Sequence, residues 1–473
     1  MDSHSSYVIS QGLFLKSLAL IYFFAFGSLL VQMKGLYGAQ GIQSIQEYLG
    51  NLAKYYKQKP YLKMPTLFWL NASDSTLLLA AWMGMAGSLL VIFGIYPAPI
   101  LLLLWFLYLS FCAPGFPFLH FQWDALLLEV GFISIFFAIQ SPPPLWVVYL
   151  LWFLLFRLML SSGLTKLISG SREWHNLTAL DFHYETQPLP TRLAYFAHKQ
   201  PKLLSRLSVI GVYFFELVVP FFIFGPPSLR FAAFFLLIFF QVLIIVTGNF
   251  AFFNLLTIAL CLSLLPDSYL FDFEAVASFD PLVGANVVVA AIIAAIAGFL
   301  IVLNAVELCT NFIHSRLIYN ILFPFHLYKI INPYGLFVQM TTIRNEIIIE
   351  GSEDGENWKA YEFKWKPGDL SQPPRIVAPH QPRLDWQMWF AALSNQEQNP
   401  WFTQFLFRVL EGSQDVLHLL KTNPFPDHPP RFIRALEYRY RFSGLKTKRQ
   451  TGQWWTRDYQ GPYSYIYSLI GED

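Results

Sequence analysis

Charge is what this chain has least of. Of 473 residues only 13% are charged, against 55% hydrophobic and 18% aromatic. A water-soluble domain carries about a quarter charged residues. The net charge is +2 and no basic block occurs, which excludes the phosphate-neutralising surface of a nucleic-acid-binding protein. Cysteine is scarce too. Cys112, Cys261 and Cys309 lie far apart in or beside apolar segments, with neither the spacing of a zinc site nor the pairing of a disulfide framework. Nucleophile elbow, P-loop, dinucleotide glycine pattern and HExxH are all missing. No catalytic residue, metal or cofactor is expected.

Long apolar runs are what the chain does have. Nine candidate spans follow from runs and breakers: 12–31, 76–96, 98–111, 123–139, 145–166, 206–224, 229–247, 250–266 and 284–304. Runs near twenty residues match a bilayer core about 30 Å thick. The first is too long and unbroken for a signal peptide and is read as a retained span. The pattern predicts a polytopic α-helical membrane protein, with a membrane domain over residues 1–320.

Two loops are long, 32–75 and 167–205. The first carries Lys34, Lys54, Lys57, Lys59 and Lys63, whereas loop 267–283 holds Asp267, Asp272, Glu274 and Asp280 with no base. Positive-inside counting puts both long loops and the C-terminus in the cytoplasm. Asn71 and Asn176 stand in N-x-S/T sequons, which matter only where those loops face a secretory lumen.

From residue 335 to 473 the character changes to a soluble, β-rich domain of mixed α/β type. "NEIIIEGSEDGENWKAYEFKWKPGDL" reads as a hairpin turning over Ser352 to Gly355. "RFIRALEYRYRF" alternates as a two-faced strand. "LDWQMWFAAL" and "WFTQFLFRVLEGSQDVLHLL" have helical spacing.

Ionisable groups inside membrane segments are costly and mark a partner or a function. Asp124 and Glu129 open the fourth span; Arg157 and Lys166 lie in or at the end of the fifth. Glu216 sits four residues before Pro220, whose missing N–H frees the Glu216 carbonyl, and Arg157 is the cation expected to satisfy it. These groups form either structural ion pairs or a polar cavity for a ligand. Asn304, Glu307, Asn311 and His314 fall on one helical stripe, facing either water or a cavity.

Densest of all is "LTALDFHYETQPLP", residues 177–190, which packs Asp181, His183, Tyr184 and Glu185 between two apolar spans. Read as an extended segment ahead of Pro188 and Pro190, it places Asp181, His183 and Glu185 on one face. Two carboxylates would then hold His183 protonated near neutral pH and tie the loop down as a salt-linked lid.

"FQWDALLLEVGF", "RLMLSSGLTKLISG", "LTALDFHYETQPLP", "FFELVVPF", "TGNFAFFNLLTIAL", "APHQPRLDWQMWFAAL" and "TGQWWTRDYQGPY" occur in that order. With them the chain resembles the lipase maturation factor family. The resemblance implies a multi-spanning protein that helps dimeric secreted lipases fold and assemble, without enzymatic activity. It also implies the endoplasmic reticulum membrane, with the C-terminal domain in the lumen; a bacterial chain would sit in the plasma membrane. By span pattern alone the bundle is distantly similar to vitamin K-dependent carboxylase membrane domains. The expected partners are the bilayer and a client lipase or other secreted protein, touched through Trp386, Trp389, Trp454 and Trp455. The alternative is a membrane enzyme or carrier that handles a lipid-soluble small molecule through the intramembrane polar groups.

Overall fold

The structure, a computed structural model, describes residues 6–56 and 58–469; Lys57 of the first long loop lies outside the described residues. Its N-terminal part is a helical bundle. In chain order its main helices are α1 (Val8–Leu30), α2 (Asp74–Ile92), α3 (Pro97–Cys112), α4 (Gln122–Phe137) and α5 (Leu145–Ile168). Among the short helices that follow are α6 (Ala179–Thr186) and α7 (Arg192–His198). Then come α8 (Lys202–Phe222), α9 (Pro227–Thr247), α10 (Phe253–Leu262), α11 (Val287–Cys309) and α12 (Arg316–Leu327). Six of them, α1, α2, α5, α8, α9 and α11, are long and apolar enough to cross a membrane. The other three expected spans are the shorter helices α3, α4 and α10, of 16, 16 and 10 residues. At 1.5 Å per residue, 16 residues reach only about 24 Å. α8 changes to a π-turn over Phe214–Val218, just ahead of Pro220, where the ring removes one helical hydrogen bond.

The loops gather at two ends. At one, the Asp267 carboxylate accepts the N–H groups of Val8 (2.8 Å), Ile9 (2.9 Å) and Ser10 (3.3 Å). Those donors have no partner within α1, and a carboxylate also suits the positive end of the helix dipole. Gln11 reaches the Gln140 carbonyl, and the Val283 amide reaches Ile139, at the same end. The acidic loop is therefore partly a helix cap. At the opposite end, loops 32–75, 113–121, 167–205 and 248–252 lie against the C-terminal region.

That region is an antiparallel sheet of β1 (Arg344–Ser352), β2 (Lys359–Phe363), β3 (Leu420–Thr422), β4 (Phe432–Phe442), β5 (Trp455–Pro462) and β6 (Tyr467–Ser468). The order is β3-β2-β1-β4-β5, with β6 also pairing with β4. The expected hairpin is β1–β2, with Ile349 opposite Tyr361. Two helices cover the sheet: α13 (Arg383–Ala391) packs on β1 and α14 (Pro400–Leu410) on β4. The second apolar run expected as a helix is split after α14, because Gly412 takes φ +70°, a conformation that favours glycine. One apolar core runs without a break from α1 and α5 into Trp386, Ile347, Phe402 and Ile433. Packing shows no gap at residue 335.

Replacing Asp267 with Ala should leave three α1 donors without their acceptor. Thermal unfolding of the detergent-solubilised protein should show a loss of about 1–2 kcal/mol, and Asp267→Asn should lose less.

Candidate functional site

Charges inside the bundle are paired. On α4, the Glu129 carboxylate bonds Arg157 of α5, the Asn332 amide (3.0 Å) and the Tyr334 hydroxyl (2.8 Å). Arg157 thus takes Glu129 rather than Glu216, against expectation. Lys166 takes Glu216 instead, 2.8 Å from both carboxylate oxygens. The reason is helical geometry: nine residues along α5 is half a turn round, so Arg157 and Lys166 face opposite sides. The predicted α11 stripe divides. Asn304 bonds its own helix at Leu300, Glu307 pairs with His326 at 2.7 Å, and Asn311 reaches Ser161 at 3.4 Å. His314 is exposed and lies beyond the end of α11 at Cys309.

Asp124 has a partner from much further away. Arg383, the first residue of α13, is fully buried and grips both Asp124 oxygens at 2.8 and 3.0 Å. The Tyr108 hydroxyl donates to the same carboxylate at 2.6 Å, and Arg383 also donates to the Phe118 carbonyl at 2.7 Å. A guanidinium offers planar, paired donors, and this is the bidentate geometry that uses them.

The 177–190 segment is the second anchor. Its first half is helical (α6), so Asp181 and Glu185 share one face while His183 points elsewhere. The salt-linked lid is therefore wrong. His183 packs edge-on to Phe337 with ring centroids 4.9 Å apart. Burial, and then the nearby Lys166 ammonium, lower its pKa to about 4, so the imidazole is neutral near pH 7. Pro188 and Pro190 end the helix, and the carbonyls left free beyond it are what the sheet domain binds. Buried Arg344 donates to the carbonyls of Glu185 (2.8 Å), Gln187 and Pro188 (2.8 Å). It also pairs with Glu346, which Lys366 approaches at 2.9 Å. The Glu185 carboxylate accepts the Phe442 amide at 2.7 Å and lies 3.5 Å from His198. A third anchor is Asn249, whose side chain accepts the Val377 amide at 2.6 Å and donates to Arg375.

The four tryptophans do not form an exposed client surface. Trp386 is buried against Trp123, with ring centroids 4.8 Å apart. Trp389 donates its indole N–H to the Thr186 carbonyl at 2.7 Å. Trp455 is buried and stacks on Phe442, while half-buried Trp454 packs on Tyr195 of α7. All four serve the docking of sheet on bundle. Sequence reading missed Arg344, Arg383 and Asn249, which share in that docking. An arginine flanked by proline and leucine in "QPRLDW" was the available signal for Arg383.

These features define a polytopic helical membrane protein that carries a sheet domain at one end, joined by buried arginines and asparagine. The description "Lipase maturation factor transmembrane domain" matches residues 9–271, and "Lipase maturation factor C-terminal domain" matches residues 330–465. The chain belongs to the lipase maturation factor family. Lipase maturation factor 2 of Homo sapiens is 34% identical, over 95% of this chain and 81% of its own length. Lipase maturation factor 1 of Mus musculus is 35% identical, over 95% and 85%. No solved structure matches.

Arg344→Met should strand three carbonyls and cost about 3–5 kcal/mol, seen as protease cleavage between Leu177 and Pro190. His183 adds a pH dependence. Its folded pKa lies below the unfolded value of about 6.5, so its contribution is full above that value and is lost as pH falls toward 4. His183→Phe should keep the segment protected at pH 7 and flatten this pH dependence, whereas His183→Lys should expose it.

Proposed function

We propose that this chain is a membrane-embedded maturation factor that assists the folding and assembly of secreted lipases or similar secreted clients. Family membership and the names of its relatives support this reading. The single observation that carries it is the seating of the sheet domain on the bundle, which leaves an edge of the sheet exposed. β5 is that edge, exposed from Thr456 to Gln460 with Tyr459 58% accessible. An unpaired strand edge can accept a strand from a partly folded chain. In this reading the client contacts β5 rather than the tryptophans. The alternative, an enzyme or carrier that handles a lipid-soluble small molecule through intramembrane polar groups, is not favoured by the names of the relatives.

In this reading α3, α4 and α10 also cross, completing nine passages, and the membrane is that of the endoplasmic reticulum. The sheet domain and both long loops then share the lumenal side, in place of the cytoplasmic side that charge counting favours. Asn71 and Asn176 are both exposed at that end. In reticulum-derived membranes, Asn71→Gln and Asn176→Gln should each remove one glycosidase-sensitive mobility shift. A chain with no glycan at either position would place that end in the cytoplasm.

Function is tested in secretory cells lacking their own maturation factor and expressing a dimeric secreted lipase. The full chain should restore active, dimeric lipase to the medium. Arg383→Met, which leaves Asp124 uncompensated, should reduce that rescue at least tenfold. Lipase output that is unchanged by the wild-type chain would defeat the proposal.

A further inference from the structure

At the sheet-domain end of the bundle a cavity of about 380 Å³ lies between α6, α8 and α9, closed on one side by Leu336 and Phe337. Its volume falls at the small end of the range for small-molecule sites, about 300–1,000 Å³. Phe215, Phe240 and Ile244 give it an apolar wall. The α9 surface beside it faces outward, with Phe239, Val242 and Leu243 exposed, where a spanning helix meets acyl chains. α8 and α9 pack together at the Val219–Phe222 end, and both border the cavity nearer their other ends.

Its polar lining is one ion pair and several neutral groups, which include Gln200, Ser208, Thr247 and Asn254 besides His183 and Tyr184. Lys166 and Glu216 reach the wall already bonded to each other at 2.8 Å, so the ammonium is not free for an anionic head group. No other Lys, Arg, Asp or Glu lines the cavity among the described residues. The His183 ring and the Tyr184 hydroxyl also line it, and neither makes a hydrogen bond among the described residues. Both are uncharged near neutral pH and can donate or accept. A largely apolar wall, with neutral hydrogen-bonding groups and a closed ion pair but no free charge, suits an uncharged head on a single hydrocarbon chain.

We propose that this cavity binds a single-chain, uncharged acyl-ester lipid of the monoacylglycerol type, with its chain between α8 and α9 and its ester and hydroxyl oxygens against His183 and Tyr184. The site requires no client and stands apart from the maturation role. Bound lipid would lie directly beneath α6, the helix whose end Arg344 grips.

Gly211 supplies the test. It lines the cavity, and a Cβ placed there meets no atom within 4 Å, so Gly211→Phe can fill the space without a backbone clash. The full-length protein in phosphatidylcholine vesicles is photolabelled with a monoacylglycerol that carries a diazirine in its chain, then mapped by peptide mass spectrometry. Labelling should concentrate in residues 177–184, 208–216 and 240–247. Gly211→Phe should reduce it at least fivefold with the melting temperature unchanged. A lysophosphatidic acid probe with the same chain should label those peptides at least fivefold less, which separates uncharged from anionic lipids. The double variant His183→Phe with Tyr184→Phe keeps the apolar wall and should abolish the preference for the ester over a plain alkyl diazirine; it decides the matter if Gly211→Phe does not accumulate. Labelling spread evenly over all outward-facing helices, equal labelling of Gly211→Phe, or equal labelling by the anionic probe would each overturn the proposal.

Discussion

A guanidinium removed from water must be surrounded by oxygen, and the rest of this structure is arranged around that demand. Arg157, Arg344 and Arg383 are the largest buried charges, each almost wholly inaccessible. Desolvating such a group costs several kcal/mol, recovered only where a carboxylate and further acceptors meet it in good geometry. Arg157 is met by Glu129 and the Asn332 carbonyl, Arg383 by Asp124 and the Phe118 carbonyl, and Arg344 by Glu346 and three carbonyls. Two of these three connections join the sheet domain to the bundle. They fix one relative position for the two parts, because a guanidinium shifted by a turn would face hydrocarbon.

The backbone cooperates. Carbonyls beyond a helix end have no internal partner, and prolines at 188 and 190 ensure that the segment after α6 cannot resume a helix and hide them. A stretch that looks anomalously polar for its surroundings is thus a socket. Its side chains contribute less than its main chain. Glu185 alone does both, accepting the Phe442 amide through its carboxylate and Arg344 through its carbonyl. Trp389 adds a bond to Thr186 from the side, so one short segment receives three elements of the sheet domain.

Helices were legible in the sequence because a bilayer selects for apolar length, and that property needs no knowledge of neighbours. The β1–β2 hairpin was legible for a similar reason, its turn residues lying within a few positions of one another. Partners were not. Glu129 and Arg157 are 28 residues apart and Asp124 and Arg383 are 259 apart, so nothing local distinguishes a correct pairing from a wrong one. Glu216 was assigned to Arg157 when Lys166, half a helical turn away in angle, was the one facing it. His183 was misread because Pro188 and Pro190 constrain only the residues just before them, leaving the preceding two turns free to be helical. Tryptophan exposure was likewise set by docking, a long-range event that local composition does not encode.

The distance in sequence between Asp124 and Arg383 has a further consequence. A ribosome delivers the chain from its N-terminus, so α4 is made long before its counter-charge exists. Through that interval the bundle holds a carboxylate whose arginine has not yet been made, a state of higher energy than the finished protein. Completion of the last third of the chain is what relieves it. The membrane part is therefore a provisional structure during synthesis, and truncated or stalled chains remain chemically distinguishable from whole ones by a single unneutralised acid at the mouth of the bundle.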